Sequence, residues 1–139
     1  MADSLTPTRR SWNMSRIRGR DTKPETRLRS MLHRAGFRFR LHPKNLPGRP
    51  DIVMPKYKTA IMVHGCFWHR HPGCRNATTP TTRREFWQAK FDANVYRDRK
   101  VEQQLVDLGW RVITVWECEL KKEPEQVVER IGSRLGGGL

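Results

Sequence analysis

The chain has 139 residues, with 28 Lys and Arg against 14 Asp and Glu, so it carries a formal charge of +14 at pH 7. That length suits one domain with its own core, and 36% apolar residues set it apart from a disordered tail. No apolar run approaches the roughly 20 residues of a membrane span, and the opening MADSLTPTRR lacks the apolar segment of a signal peptide, so a cytoplasmic protein with no membrane partner is expected.

Residues 1–20 hold Arg9, Arg10, Arg16, Arg18 and Arg20 and read as a basic arm, ahead of a single domain over 21–139. Thr22 and Glu25 have the spacing of a capping box, and Pro24 suits a first helical turn. Leu28, Met31, Leu32 and Ala35 continue at helical spacing until Gly36. Phe37, Phe39 and Leu41 then alternate with Arg38, Arg40 and His42, the pattern of a half-buried strand, and residues 45–50 form a turn. Ile52–Met54 and Ala60–Val63 are short apolar runs that predict buried strands joined by a turn near Lys56. Residues 64–82 are irregular, a long helix is expected from Thr82 to Leu108, Arg111–Trp116 is an apolar strand, and Pro124 opens a last helix. A helix crossing between strands implies an α/β fold, a mixed sheet with helices on its faces. No large apolar stripe is left unassigned, so a monomer is expected.

A charge of +14 repels itself and is offset by an anionic partner, of which nucleic acid is the usual one. Four groups of residues could act on such a partner. Cys66, His71, Cys74 and Cys118 make a Cys3His set of the kind that holds structural zinc. The alternative is three free or buried thiols. His71 is preferred to His69 as ligand because this leaves His69 free for catalysis. Asp51, His64 and His69 form the second group. A strand-end carboxylate suits Mg2+, and with an imidazole to move a proton such a set can hydrolyse a phosphodiester. The alternative makes Asp51 a turn cap. Third, Asn94 and Asp98 fall on the stripe of Trp87, Phe91, Val101, Leu105 and Leu108 along the long helix. A carboxylate there needs a partner, which is either a histidine that it orients or an arginine in a structural ion pair. Fourth, Phe67 and Trp68 lie in a polar, basic loop where rings could stack on bases, whereas Trp87 also reads as plain core. For Glu25, local spacing favours the capping role over a place in an active site.

Several runs carry a family resemblance. Leu46-Pro-Gly-Arg-Pro-Asp51, Val63-His-Gly-Cys-Phe-Trp-His69, Arg84-Glu-Phe-Trp87, Asn94-Val-Tyr-Arg-Asp-Arg99, Leu108-Gly-Trp-Arg-Val112 and Trp116-Glu-Cys118 resemble the very short patch repair (Vsr) DNA mismatch endonucleases. Asn13-Met14 and Arg20-Asp-Thr22 extend the likeness into the arm, so it spans about residues 11–120. The resemblance implies a restriction-endonuclease-like α/β core with a structural zinc loop, the domain over 21–139 being the nuclease. It implies a Mg2+-dependent nick 5′ to the thymine of a T·G mismatch, the lesion left when 5-methylcytosine deaminates. Asp51 and the backbone carbonyl of Val63 would bind Mg2+, His69 would be the general base, and His64, Asp98 and Glu25 would complete the site. Cys66, His71, Cys74 and Cys118 would hold Zn2+. Phe67, Trp68 and Trp87 would wedge into the DNA, with the arm, including Asn13 and Met14, closing on the duplex. Mismatch-repair proteins as partners are suggested by analogy alone. The chain departs from the family in having valine where its members have threonine at position 63, and in Arg70, Pro72 and Gly73 within a loop that is one residue longer before Cys74. Two other readings are a same-fold nuclease with a different DNA target and a non-catalytic zinc-stabilised nucleic-acid-binding module.

Overall fold

A computed structural model describes residues 22–135. The basic arm with Asn13 and Met14, and the glycine-rich end, lie outside the described residues. Helix α1 spans Lys23–Arg34, and the Thr22 side chain accepts a hydrogen bond from the Glu25 N–H at 3.4 Å. Spacing of three and four residues places Glu25, Leu28 and Leu32 on one face, and all three are buried, so the helix that packs two leucines also carries a carboxylate inward. Strand β1 is only Arg40–Leu41. The alternation from Phe37 to Leu41 had suggested a longer, half-buried strand. Phe37 and Phe39 do reach the core, but Leu41 is exposed, and the backbone turns left-handed at His42 (φ 45°) and ends the edge strand.

Strand β2 (Ile52–Met54) pairs antiparallel with β1 and with β3 (Thr59–His64), a 3-10 turn over Pro55–Tyr57 joining β2 to β3. Helix α2 (Arg84–Asp107) then crosses over to β4 (Arg111–Trp116), which runs parallel to β3 in the register Val63↔Val115 and His64↔Trp116. The result is a four-stranded mixed sheet in the order β1-β2-β3-β4 with helices on its faces, as expected from the sequence. Two further helices follow, α3 (Glu117–Lys122) and α4 (Pro124–Arg134). Sequence reading had placed Cys118 after a strand and did not foresee α3, a single turn and a half fixed by Glu119. That carboxylate accepts from the Trp116 N–H at 2.9 Å and pairs with Arg130 of α4 at 2.6 Å. Among the described residues no helix is long and apolar enough to cross a membrane.

The period of two along the strands divides the core. Ile52, Met54, Ile61, Ile113 and Val115 pack with Leu28, Leu32, Leu120 and Ile131 of α1, α3 and α4. Val53 and Ala60 face the other way, onto Leu105 of α2, with Val101, Trp110 and Val112 at the margin. Of the stripe expected on α2, Trp87, Phe91 and Leu105 are buried, whereas Leu108 lies beyond the helix and is 54% exposed. The loop before β2 lies against this helix at Gly48 (φ 71°), where a Cβ would collide with the Val101 side chain, so this turn requires glycine. Successive residues of β3 thus end the strand on opposite faces: Val63 packs with the larger core, and His64 faces α2.

Candidate active site

On one side of this strand end, Asp51 enters β2 directly after Pro50 and is 8% exposed. Its Oδ2 accepts a hydrogen bond from the Val63 N–H at 2.6 Å, which anchors the carboxylate to β3. Glu25, 1% exposed, comes from the first turn of α1 and places Oε2 2.7 Å from His42 Nε2 and 3.3 Å from the Arg29 guanidinium. His42 Nε2 also lies 4.0 Å from Asp51 Oδ1. Glu25 therefore contributes its backbone N–H to the helix cap, as local spacing favours, while its carboxylate turns into the protein beside His42 and Asp51. Burial pushes the Asp51 carboxyl up to about 7; the Val63 N–H opposes the rise and the nearby Glu25 charge adds to it. Two buried carboxylates so close repel each other, and a divalent cation among their oxygens removes that repulsion, so the donor set fits a hard metal ion.

On the α2 side, His64 and His69 stack with ring centroids 3.9 Å apart and planes within 6°. Asp98 of α2 places Oδ2 2.6 Å from His69 Nδ1. Of the two partners open to Asp98 in the sequence, histidine is the one found. A carboxylate on Nδ1 keeps the proton there and leaves Nε2 as the basic nitrogen. Burial, followed by repulsion from His69, pushes His64 down to about 4 with Asp98 opposing, so His64 is neutral at physiological pH. A cleft of about 250 Å³ opens on these groups and is bordered by Arg70, Arg99 and Trp116.

The loop that follows β3 has little apolar core and is held by side chains. The ligand atoms of Cys66, His71, Cys74 and Cys118 lie within 4.8 Å of one another, with Cys118 Sγ 3.4 Å from His71 Nδ1. The His71 ring stacks on Trp116 at 4.2 Å. Burial pushes the Cys66 thiol up to about 12, while Cys74 is lowered, chiefly by the Asn76 backbone N–H. A thiol buried like Cys66 ionises only against a cation, and three sulfurs with one imidazole are donors compatible with zinc. Arg70 lies 3.9 Å over the Phe91 ring and donates hydrogen bonds to the carbonyls of Phe67, Ala77 and Thr78 and to Thr79 Oγ1. The Asn94 amide donates to the Trp68 carbonyl at 3.2 Å. Phe67 and Trp68 are half-buried against Trp87, which is 6% exposed and forms the base of this aromatic group with Phe91.

Comparison with known proteins adds a second line of support. The family model of the DNA mismatch endonuclease Vsr matches residues 2–75. The chain is 50% identical over 120 residues to the type II nicking enzyme V.XorIIP of Xanthomonas oryzae pv. oryzae, covering 86% of this chain and 88% of that one. It is 46% identical over 135 residues to the DNA mismatch endonuclease Vsr of Escherichia coli, covering 97% and 86%, and 44% identical over 123 residues to the type II nicking enzyme V.NmeAIP of Neisseria meningitidis, covering 88% and 87%. The chain belongs to the Vsr DNA mismatch endonuclease family. It is accordingly a DNA endonuclease, and a nuclease of this family is suited to a divalent metal.

Set against that Vsr membership, the residues singled out in the sequence fall into three groups in space. Asp51 and Glu25 meet beside Val63; His64, His69 and Asp98 meet on α2; the three cysteines and His71 meet under Trp116. Asp51 had been grouped with His64 and His69, and the structure instead gives each its own partners on either side of β3. Sequence reasoning missed His42 and Arg70. The alternation that put His42 with Arg38 and Arg40 on the solvent side gave no sign of the left-handed turn that brings its ring inward. Arg70 carried a faint signal, an arginine inside an aromatic and histidine-rich loop.

Proposed function

We propose that this Vsr-family nuclease nicks one strand of double-stranded DNA on the 5′ side of the thymine in a T·G mismatch, and so starts very short patch repair. The observation that carries the reading is the pair of polar groups flanking the end of β3: buried Asp51 bound to Val63, and His69 oriented by Asp98. Mg2+ held by Asp51 and the carbonyl of Val63 would neutralise charge on the scissile phosphate. A strand residue presents its N–H and C=O to the same edge, so the Val63 N–H that meets Asp51 places the Val63 carbonyl on that side also. His69, with its Nδ1 proton held by Asp98, accepts a proton from the attacking water at Nε2. As the water oxygen bonds to phosphorus, the bond to the leaving sugar oxygen breaks and that oxygen takes a proton from solvent water, while His69 later returns its proton to solvent. Neutral His64 stacks on His69 and limits its tilt. Glu25 stands beside Asp51 and would complete the metal's surroundings.

In the same reading the sheet and helices form a restriction-endonuclease-like core, the nuclease domain covers 21–139, and Zn2+ held by Cys66, His71, Cys74 and Cys118 is structural. Phe67 and Trp68 wedge beside the mismatch with buried Trp87 behind them, because unstacking costs least at a weakened pair. The arginines of residues 1–20, with Asn13 and Met14, would add to DNA binding. The protein acts as a cytoplasmic monomer alongside the chromosome, with mismatch-repair proteins as candidate partners.

The test is cleavage of a labelled duplex with one T·G mismatch in a CT(A/T)GG context, beside its matched control, with Mg2+ and with chelator. A single Mg2+-dependent nick next to the mismatched thymine is expected. Equal cutting of both duplexes would assign the protein another target, and binding without cutting in every context would reduce it to a binding module.

A further inference from the structure

We propose that His42 is a further protein ligand of the divalent cation at Asp51 and Glu25, so that the site holds an imidazole nitrogen as well as oxygens. The inference rests on the metal-dependent reading above and extends it to a residue outside every motif that carries the family resemblance.

Four observations converge on this nitrogen. First, the backbone of His42 adopts φ 45°, which residues with side chains rarely take up, and this turn directs the ring into the protein, leaving its side chain 12% exposed. Second, Nε2 is buried and has no aligned hydrogen-bond partner among the described residues, although it lies 2.7 Å from Glu25 Oε2. A ring placed there only to bind Glu25 would point its nitrogen along the hydrogen-bond line, and the Arg29 guanidinium already meets the same oxygen at 3.3 Å. Third, Asp51 commits Oδ2 to the Val63 N–H, and it is the other oxygen, Oδ1, that lies 4.0 Å from His42 Nε2. Fourth, the donor atoms of Glu25, His42 and Asp51 all fall within 4.8 Å of one another. Ligands at roughly 2.1 Å from one ion stand about 3 Å apart when adjacent and about 4.2 Å when opposite. Both separations from Nε2 fit such a polyhedron; the 2.7 Å one is also a hydrogen-bond distance, so it is the lack of alignment there and the 4.0 Å approach to Asp51 that point to an ion.

An all-oxygen site suits Mg2+, whereas a nitrogen donor shifts preference toward Mn2+ and Co2+. The experiment uses the full-length, zinc-loaded protein with added Mn2+, read by calorimetry and by electron spin-echo modulation of the bound ion. The wild type is expected to bind Mn2+ with nitrogen modulation from a directly bound imidazole. His42→Ala should lose that modulation and bind Mn2+ on the order of tenfold more weakly, while Asp51→Asn should lose the ion. His42→Gln, which keeps a polar group of similar reach, guards against a folding defect: it should retain the wild-type circular dichroism and still lack the imidazole signal. Mn2+ that binds in an Asp51-dependent way with no nitrogen signal, or with one that survives in both His42 variants, overturns the role of His42 and leaves the metal reading intact. A wild type with no Asp51-dependent Mn2+ binding overturns the metal reading, and the assignment of His42 with it.

Discussion

The carboxylate pocket and the cysteine loop are reached from the same end of β3, yet they are ordered by different forces. Asp51 and Glu25 are carried by a strand and a helix whose neighbours Ile52, Leu28 and Leu32 are fully buried. Apolar packing positions them, and holding two carboxylates there costs electrostatic repulsion. The loop over 65–83 has no helix or strand and few apolar residues of its own. Its path gathers Cys66, His71, Cys74 and Cys118 and is held by the Arg70 guanidinium and the ring contacts of Phe67 and Trp68. The difference implies that changes in the pocket should remove activity and spare the fold, while changes in the loop should do the reverse first.

The largest expected effect is on the pocket. Asp51→Ala should lower nicking by on the order of 10³-fold, equivalent to several kcal/mol of transition-state stabilisation, with little change in thermal midpoint or in DNA binding under chelator. A folded variant with full activity would end the metal assignment to Asp51. Cys118→Ser tests the loop. It should release zinc, read by elemental analysis, and destabilise the protein by about 3 kcal/mol, read by chemical denaturation. An unchanged zinc content would remove Cys118 from the donor set. Stripping zinc from the wild type with a chelator should lower the midpoint in the same way.

Asp98→Asn sharpens the comparison at the place where loop and helix meet. Single-turnover nicking should fall by about 10²-fold without loss of zinc, because the amide presents either a weaker acceptor or a donor to His69 Nδ1. Unaltered turnover would return Asp98 to a structural role. The smallest effect is expected from Arg70→Ala. Removing its bonds to the loop and its stacking on Phe91 should cost about 1–2 kcal/mol in the same denaturation assay, with zinc retained. Arg70→Lys should not restore the loss, since an ammonium cannot reproduce the planar fork that spans Ala77, Thr78 and Thr79. Stability equal to the wild type in both would leave the loop to the metal and the aromatic rings.

The sequence by itself determined the α/β class, the crossover by α2, the cysteine and histidine donor set and the pairing need of Asp98. Each follows from local periodicity, from residue chemistry or from the cost of burying a charge. It did not determine the short α3 helix, since that turn depends on Glu119 meeting Arg130, a partner 11 residues ahead and on another helix. Nor did it decide Glu25, whose spacing from Thr22 satisfies a helix cap just as well as an active site. The tertiary structure keeps the cap at the Glu25 N–H and adds an inward carboxylate, because the face of α1 that buries Leu28 and Leu32 packs onto the sheet and brings Glu25 near Asp51 and His42. The inward ring of His42 was decided the same way, by a left-handed backbone at the end of an edge strand that no local pattern announces.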